Sequence, residues 1–329
     1  MSTFEEFGDI AVIARKLADP DAGTRRVAVI ELGETADPDA VPFLGTVLFD
    51  PATEVRHQAA MALGEFDGPE AAAALAGALV DPDEAVAQAA ADSLAEYKDP
   101  AVADPLLPLV AHPNAFVRRS VFRALKALRR PDAAPAAIDA LGDRDAGVRA
   151  QAVGVLGYLK RDIAVPALVA AAQDSDAEVR KAAVGALGFS SYLAAHDMIV
   201  LRLIDADWRV REIAADTVGK VGIPAGVPAL IRLLDDEYWQ VRLKAVRSLG
   251  KLGVVAATAA IAAALSGEIA NLRKEAAAAL GEIADPAALR TLKKYSDDPD
   301  PDVRKNVRWA IGRIEAARAR PPAIEERGI

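Results

Sequence analysis

The segment Val179–Phe189 reads VRKAAVGALGF, and close variants of it recur along the chain at a constant interval of 31 residues. The copies begin at Thr24, Val55, Val86, Val117, Val148, Val179, Val210, Val241, Leu272 and Val303. No insertion interrupts this spacing, so the copies form an internal repeat. With Val179 as position 0, apolar residues at positions 0, 4 and 8 lie on one side of a helix.

A second apolar-periodic stretch completes each repeat, so each repeat is predicted to be a pair of helices. Several copies of this stretch carry proline in the first helical turn, where the missing N–H removes no hydrogen bond. These prolines are Pro42, Pro135, Pro166 and Pro228. Turns such as Asp81-Pro82-Asp83 join the repeats, and their second Asp is placed to cap the next helix. Glycine at position 9 is predicted to end the helix through a left-handed cap.

Helix pairs of this kind bury both apolar faces only when they stack on one another. The sequence therefore predicts an all-α fold, an α-solenoid that forms a right-handed superhelix of about ten repeats. We expect one domain over residues 1–318, from a first outer helix at about 4–18 to a last inner helix at about 303–318. Arg308 interrupts an otherwise apolar column, as expected where no eleventh repeat follows. Residues 319–329 include two prolines and are predicted to be a flexible tail.

The consensus DPDxxVRxxAxxALGxxxDxxAVPxLxxxLxD resembles HEAT repeats of the short bacterial type seen in phycobilisome lyase subunits, over about residues 4–316. The resemblance implies an α-solenoid. It also implies one possible task, that of an accessory, chaperone or lyase-type subunit that binds a tetrapyrrole (bilin) or its acceptor protein. No residue of this chain carries over from that family as a site, because the repeat itself serves many functions.

Composition excludes several kinds of function. The 329 residues include no cysteine, which excludes disulfides, iron–sulfur clusters and a cysteine nucleophile. Nucleic-acid binding is another function to weigh, and the net charge of −9 disfavours it. The acidic N-terminus is unlike a signal peptide, and no apolar run is long enough for a bilayer. We therefore expect a cytoplasmic protein with no membrane or nucleic-acid partner.

Catalytic and metal-binding patterns are also missing from the sequence. The three histidines are His57, His112 and His196, and none belongs to a repeated His-Glu pair. Deoxyhypusine hydroxylase, a family with similar repeats, holds a di-iron site with such pairs. No nucleophile elbow or phosphate-binding loop is present. We predict a protein that is not an enzyme and holds no cofactor or metal.

Arginines recur at position 1, and aspartates recur in the turns that precede the same helices. The arginines are Arg25, Arg56, Arg118, Arg149, Arg180, Arg211, Arg242, Arg273 and Arg304. The aspartates are Asp19, Asp50, Asp81, Asp143, Asp174, Asp205, Asp236 and Asp298. Columns that recur in nearly every repeat are what stacking requires, so we favour bridges to turn carboxylates in the same or the next layer over a ladder that binds phosphates.

A binding surface is expected where the repeat pattern is broken. In each layer the second helix is the one that carries positions 0 to 9. Its positions 2, 3, 6 and 10 are predicted to face the concave side of the solenoid. There the fifth and sixth repeats place Gly154, Tyr158, Gly185 and Phe189. The glycines either form a shallow floor for a partner, with the two aromatic residues as anchors, or let neighbouring helices approach closely. The sequence leaves both readings open.

Charged and aromatic residues flank this floor. Arg119 and Arg123 precede it, with Arg118, Arg129 and Arg130 nearby; Glu212, Asp216, Lys244 and Arg247 follow it. Trp208, Tyr238 and Trp239 replace the usual small or capping residues at two turns. They are either an anchor for a partner or filling for a gap in the neighbouring layer. Together these features predict a non-enzymatic scaffold that binds a protein or peptide on its concave face.

Overall fold

The computed structural model describes residues 10–319, and this range is helical with no strand. The chain divides into two compact units, Met1–Ala164 and Val165–Ile329. The predicted start of the first helix near residue 4 and most of the predicted tail, residues 320–329, lie outside the described residues. Ala319 belongs to the last helix. A single domain over residues 1–318 stays a prediction.

Unit 1 contains five helix pairs in its described part. Its helices are α1 (Ile10–Arg15), α2 (Ala22–Glu34), α3 (Val41–Val47), α4 (Thr53–Leu63), α5 (Pro69–Ala78), α6 (Glu84–Glu96), α7 (Ala103–Leu106), α8 (Ala115–Leu128), α9 (Ala134–Asp139) and α10 (Ala146–Leu159). Short 3₁₀ turns extend or precede them at Lys16–Ala18, Pro38–Ala40, Pro100–Val102, Leu107–Ala111, Pro131–Ala133, Ala140–Gly142 and Asp162–Ala164.

Unit 2 repeats the same arrangement. Its helices are α11 (Val165–Ala171), α12 (Ala177–Leu187), α13 (Leu193–Leu201), α14 (Trp208–Val221), α15 (Val227–Arg232), α16 (Trp239–Lys251), α17 (Thr258–Ala263), α18 (Ala270–Ile283), α19 (Leu289–Lys294) and α20 (Pro301–Ala319). Its 3₁₀ turns are Arg202–Ile204, Pro224–Gly226, Leu233–Asp235, Val255–Ala257, Ala264–Ser266 and Pro286–Ala288.

The even-numbered helices reproduce the 31-residue period of the sequence, since each begins 31 residues after the one before it. Most of them begin at a residue whose side chain accepts a backbone N–H of the first turn, as the sequence predicted. These capping residues are Asp21, Asp83, Asn114, Asp145, Asp176, Asp207 and Asp300. Tyr238 and Ile269 stand at two of the remaining positions and cap nothing with their side chains.

The core lies between the helices of successive repeats. Within each unit every even-numbered helix packs on the next even-numbered helix, and every odd-numbered helix packs on the even-numbered helix that follows it. Position 5 is fully buried in Val29, Phe122 and Ala277 alike, whereas Arg308 at the same position of α20 is exposed. The core is accordingly aliphatic and alanine-rich, and the predicted all-α helix-pair repeat is confirmed.

The prediction for glycine at position 9 is wrong. Gly33, Gly219, Gly250 and Gly281 lie within helices, and Gly188 ends α12 with right-handed dihedral angles. The left-handed residues instead fall at position 12, namely Ala36, Arg129, Lys160, Gly222, Gly253 and Ala284.

Helix packing explains the position-9 glycines instead. A Cβ on Gly250 would lie 2.7 Å from the Cβ of Ala279, and one on Gly281 would lie 2.9 Å from the Cα of Ala310. Because those atoms belong to the next even-numbered helix, glycine is required for close approach between layers rather than for helix termination.

Candidate functional site

The arginine column forms a ladder of ion pairs along the turns. In each rung the guanidinium Nε and Nη2 bind the carboxylate 25 residues later, and Nη1 donates to two backbone carbonyls of the arginine's own turn. Arg211, for example, lies 2.7 Å from Asp236 through Nε, and its Nη1 lies 3.0 Å from the carbonyl oxygen of Asp205. The same bidentate pattern joins Arg25–Asp50, Arg56–Asp81, Arg118–Asp143, Arg180–Asp205 and Arg273–Asp298. The predicted bridges between layers are confirmed.

The side chains of these pairs are at most 15 % exposed, and the arginines lower the pKa values of their acids. At Asp50, Asp143 and Asp298 the largest effect is the hydrogen bond from the arginine, which lowers the pKa below its usual value. At Asp81 and Asp236 burial is the largest effect and raises the pKa, but the arginine and a backbone N–H outweigh it. The pKa of both therefore still falls. These six rungs are thus neutralised internally, and their arginines offer no free cation for phosphates.

Positions 2, 3, 6 and 10 of the even-numbered helices are mostly exposed or half-buried and form one face in each unit, which we call the second-helix face. In unit 1 this face carries Arg123, whose Nη1 lies 2.6 Å from Asp92 on the preceding layer. Arg119 is exposed and packs over the ring of Phe116 at 5.8 Å, while Tyr158 is half-exposed beneath Arg129 at 5.5 Å. Arg118 and Arg130 are held by Asp143 and by Asp104 and Asp132. The predicted basic group is therefore largely paired.

A cavity of about 650 Å³ opens on this face between α4, α6 and α8. Met61 is half-exposed and contributes apolar surface, and Glu65 and Glu96 contribute carboxylates. Arg123 lines the cavity, but Gly154 and Tyr158 do not. Sequence reasoning did not select Met61, Glu65 or Glu96 as site residues, although a methionine at position 6 was a visible break in the pattern.

Unit 2 brings two of the predicted residues together. Gly185 and Trp208 line a cavity of about 530 Å³ between α12, α14 and α16. Ala182 and Ile213 complete an apolar floor, and charged residues of both signs surround it. These charged residues are Lys181, Arg209, Glu212, Asp216 and Lys244. Phe189 is half-buried in the turn after α12 and is not part of this lining.

The two glycines that sequence reasoning singled out have different surroundings. A Cβ on Gly154 would lie 2.9 Å from Cδ of Lys126, the middle of a flexible side chain. A Cβ on Gly185 would approach nothing closer than Cγ1 of Ile213 at 3.7 Å, which is an ordinary contact. Packing within unit 2 therefore does not require glycine at position 185. Its missing side chain deepens the cavity instead.

The aromatic residues at the turns interact across layers. Trp208 stacks on Tyr238 with 5.1 Å between ring centroids and an angle of 14° between their planes. The guanidinium carbon of the ladder residue Arg211 lies 5.9 Å from the ring centroid of Tyr238. Trp239 is half-buried beside them. The stack fixes the orientation of Trp208, so its ring is a preformed wall of the cavity in unit 2.

Asp216 is a buried carboxylate at the edge of the same cavity. Its side chain is 8 % exposed and lies 2.5 Å from Nζ of Lys220 and 3.3 Å from Nζ of Lys244. Burial alone would raise its pKa, but the two lysines outweigh burial and lower the pKa below its usual value. Glu212, one helical turn earlier, makes no ion pair within residues 10–319. The cavity thus presents one uncompensated carboxylate beside an aromatic wall.

The three imidazoles lie apart. His57 lines the cavity of unit 1, Nδ1 of His112 accepts the backbone N–H of Asn114 at 3.2 Å, and Nε2 of His196 lies 3.0 Å from the carbonyl oxygen of Ser190. Between residues 10 and 319, no three side chains of the His, Cys, Asp or Glu type gather as a metal would need. Over the same range no helix combines the length and hydrophobicity needed to cross a bilayer.

Known structures share this fold. An engineered protein is 22% identical, with a TM-score of 0.52, and the match covers 93% of this chain and 98% of that one. A chain from the structure of Kap95p with RanGDP is 19% identical, with a TM-score of 0.60; the match covers 93% of this chain but only 50% of that one, so this protein spans half its length. At these identities the likeness shows the solenoid fold alone.

The sequence comparisons point to the repeat. No curated protein matches the chain significantly. The profile described as HEAT repeats matches residues 10–86, 76–146, 134–201, 197–269 and 258–325. These matches span nearly the whole chain and agree with the helix pairs and their period. The protein is an all-α solenoid that belongs to the HEAT-repeat family.

Proposed function

We propose that this protein is a non-enzymatic scaffold that binds a protein or peptide on its second-helix face. The observation that carries the proposal is the cavity of unit 2, with its glycine floor at Gly185 and its aromatic wall at Trp208. Glycine inside a helix costs about 1 kcal/mol relative to alanine. Because packing within the unit leaves room for a Cβ there, a binding role accounts for that cost.

The chemistry of this cavity suits a folded or peptide partner. It combines apolar surface from Ala182 and Ile213 with charges of both signs, a mixture typical of protein interfaces. Tryptophan, furthermore, is enriched among residues that dominate binding energy. Kap95p, which shares the fold, binds RanGDP according to the description of its structure. A protein partner is therefore the chemistry that we assign to this face, in a chain that we continue to expect in the cytoplasm.

Two other functions are weaker readings of the same face. Binding of a bilin or its acceptor protein rests on the resemblance to the phycobilisome lyase type of repeat, and no contact within the described residues favours it. Nucleic-acid binding requires unpaired cations, yet Arg123, Lys244 and Arg247 are held by Asp92, Asp216 and Glu275. Added bilin should leave the visible spectrum unchanged, and immobilised DNA should not retain the protein at moderate salt.

The test is selection of binders from a displayed random-peptide library on the full chain, followed by affinity measurements with two variants. Gly185→Leu fills the cavity floor and should weaken the selected peptides by tenfold or more, roughly the loss of one anchor contact. Gly77→Leu is the matched control, because Gly77 lies in a helix with nothing within 4 Å of a built Cβ. Equal affinity of both variants for every selected peptide would refute the assignment of this cavity.

A further inference from the structure

The ladder arginine Arg242 has no aspartate 25 positions later in the sequence. Arg242 is held on its own turn like the other ladder arginines, since its Nη1 lies 2.6 Å from the carbonyl oxygen of Asp236 and 3.1 Å from that of Glu237. The residue 25 positions later is Gly267, whereas seven other ladder arginines have an aspartate at that spacing. Within residues 10–319 no carboxylate lies at ion-pair distance from Arg242. Its Nε and Nη2 are therefore donors whose usual acceptor is missing.

A backbone donor faces the same place. In the occupied rungs the aspartate also accepts the N–H two residues later, as Asp236 accepts the N–H of Tyr238 at 3.0 Å and Asp298 that of Asp300 at 2.9 Å. The residue two positions after Gly267 is Ile269, which begins α18 without a side-chain cap. The backbone N–H of Ile269 has no hydrogen-bond acceptor among the described residues.

We propose that Arg242 and the Ile269 N–H form a binding site for a carboxylate supplied by another molecule. Six rungs serve as the template, because in each of them a carboxylate fills the equivalent place with bidentate geometry. Room is available, since a Cβ on Gly267 would meet only the carbonyl oxygen of Ala264, at 3.4 Å. The guanidinium fork binds a carboxylate through two parallel hydrogen bonds, as it does in these six rungs. The site lies on the turn edge and goes beyond the proposed function, because it does not depend on the cavity of unit 2.

The neighbouring charged groups limit the affinity of this site without closing it. Glu268 is exposed and occupies the place of Glu237, which lies 3.7 Å from Nη2 of Arg211 in the preceding rung. Glu268 makes no such ion pair with Arg242. Arg273, the nearest cation on α18, is committed to Asp298 and to the carbonyl oxygens of Gly267 and Glu268. The Glu268→Gln variant should therefore bind a carboxylate severalfold more tightly than the unchanged protein.

The experiment follows the arginine Nε–H resonances of the full ¹⁵N-labelled protein during titration with sodium acetate, at constant ionic strength. The Arg242 signal, assigned through its loss in Arg242→Lys, should shift saturably with a dissociation constant on the order of 10 to 100 mM. The paired Arg211 signal should not move. Gly267→Asp should restore the rung, abolish the response and raise the melting temperature. Absence of a saturable Arg242 shift up to about tenfold that range would overturn the proposal.

Two peptides separate the possible sources of the carboxylate. Acetyl-Ala-Asp-Ala-amide offers a side-chain carboxylate, and acetyl-Ala-Ala-Ala with a free C-terminus offers a terminal one. Tighter binding of either one than of acetate supports the site and identifies the source. A larger affinity for inorganic phosphate than for acetate and both peptides would instead overturn the assignment to carboxylates.

Discussion

The rung between Arg180 and Asp205 is the place where the ladder can be tested most sharply. The Asp205 side chain is 3 % exposed and that of Arg180 is 13 % exposed. The carboxylate accepts Nε and Nη2 of Arg180 at 2.9 and 2.8 Å, Nη1 of Arg202 at 3.2 Å and the N–H of Asp207 at 3.0 Å. Asp205→Ala therefore leaves four donors without their acceptor, and the guanidinium groups of Arg180 and Arg202 without their counter-ion.

Removal of one partner from a buried ion pair costs about 3–5 kcal/mol, because the remaining charge stays desolvated. We expect Asp205→Ala to lower the free energy of unfolding of unit 2 by that amount. The Arg180→Ala, Asp205→Ala double variant should lose less than the sum of the single variants, with a coupling of about 1–3 kcal/mol. The exposed pair Lys16–Glu31, at 44 and 36 % exposure, supplies the control, and Glu31→Ala should cost at most about 1 kcal/mol.

The measurement combines denaturant unfolding with native-state hydrogen exchange, because long repeat arrays do not always unfold in one step. Loss of exchange protection should concentrate in α12, which carries Arg180, and in α14, which follows Asp205. If Asp205→Ala costs no more than Glu31→Ala, the ladder contributes no more than an ordinary surface pair and its role in fixing the layers is refuted.

Three further outcomes follow from the same contacts. Gly281→Ala should lower the free energy of unfolding, measured with denaturant, by about 1–3 kcal/mol, because its Cβ would collide with Trp309 and Ala310. Gly312→Ala should raise the same free energy by up to about 1 kcal/mol, because a Cβ there meets open space. Ala87→Arg combined with His112→Asp should restore a missing rung and raise the melting temperature above that of either single variant. The pKa values of the ladder carboxyls are lowered in the folded state. These carboxylates therefore stabilise the folded protein fully above about pH 4, and the stabilisation is lost as the pH falls through their folded pKa values. A melting temperature that does not fall between about pH 5 and pH 2 would contradict this.

The sequence predicts the helices well because their determinants are local. Asp176 caps α12 through contacts within three residues, and the apolar column through Val179 needs only helical geometry. The prediction for glycine at position 9 failed because the deciding contact is not local. The requirement for glycine at position 250 comes from Ala279, which lies on the next layer and about one repeat away in sequence.

The candidate site was predictable in part for the same reason. Gly185 and Trp208 broke the repeat visibly, and the structure places both in one cavity. Asp216 pairs with Lys220 and Lys244, and Glu212 is left without an ion pair among the described residues. This pairing depends on side-chain conformations, which the amino-acid sequence alone does not give. Tyr158 and Phe189, predicted as anchors, line neither this cavity nor the one beside Met61.

A solenoid tolerates such departures from its consensus because its stability is approximately a sum of terms between neighbouring repeats. The loss of the aspartate at Gly267 removes one rung between two layers and leaves the rung between Arg273 and Asp298 intact. In a globular core the same loss would propagate through shared packing. Positions that recur in every repeat are therefore constrained by stacking, while positions that depart from the pattern are free to serve a ligand. The place of Gly267 beside Arg242 is a departure from the aspartate column, while the glycine floor at Gly185 lies at a position that varies among the repeats, and each is open where a larger side chain would have closed it.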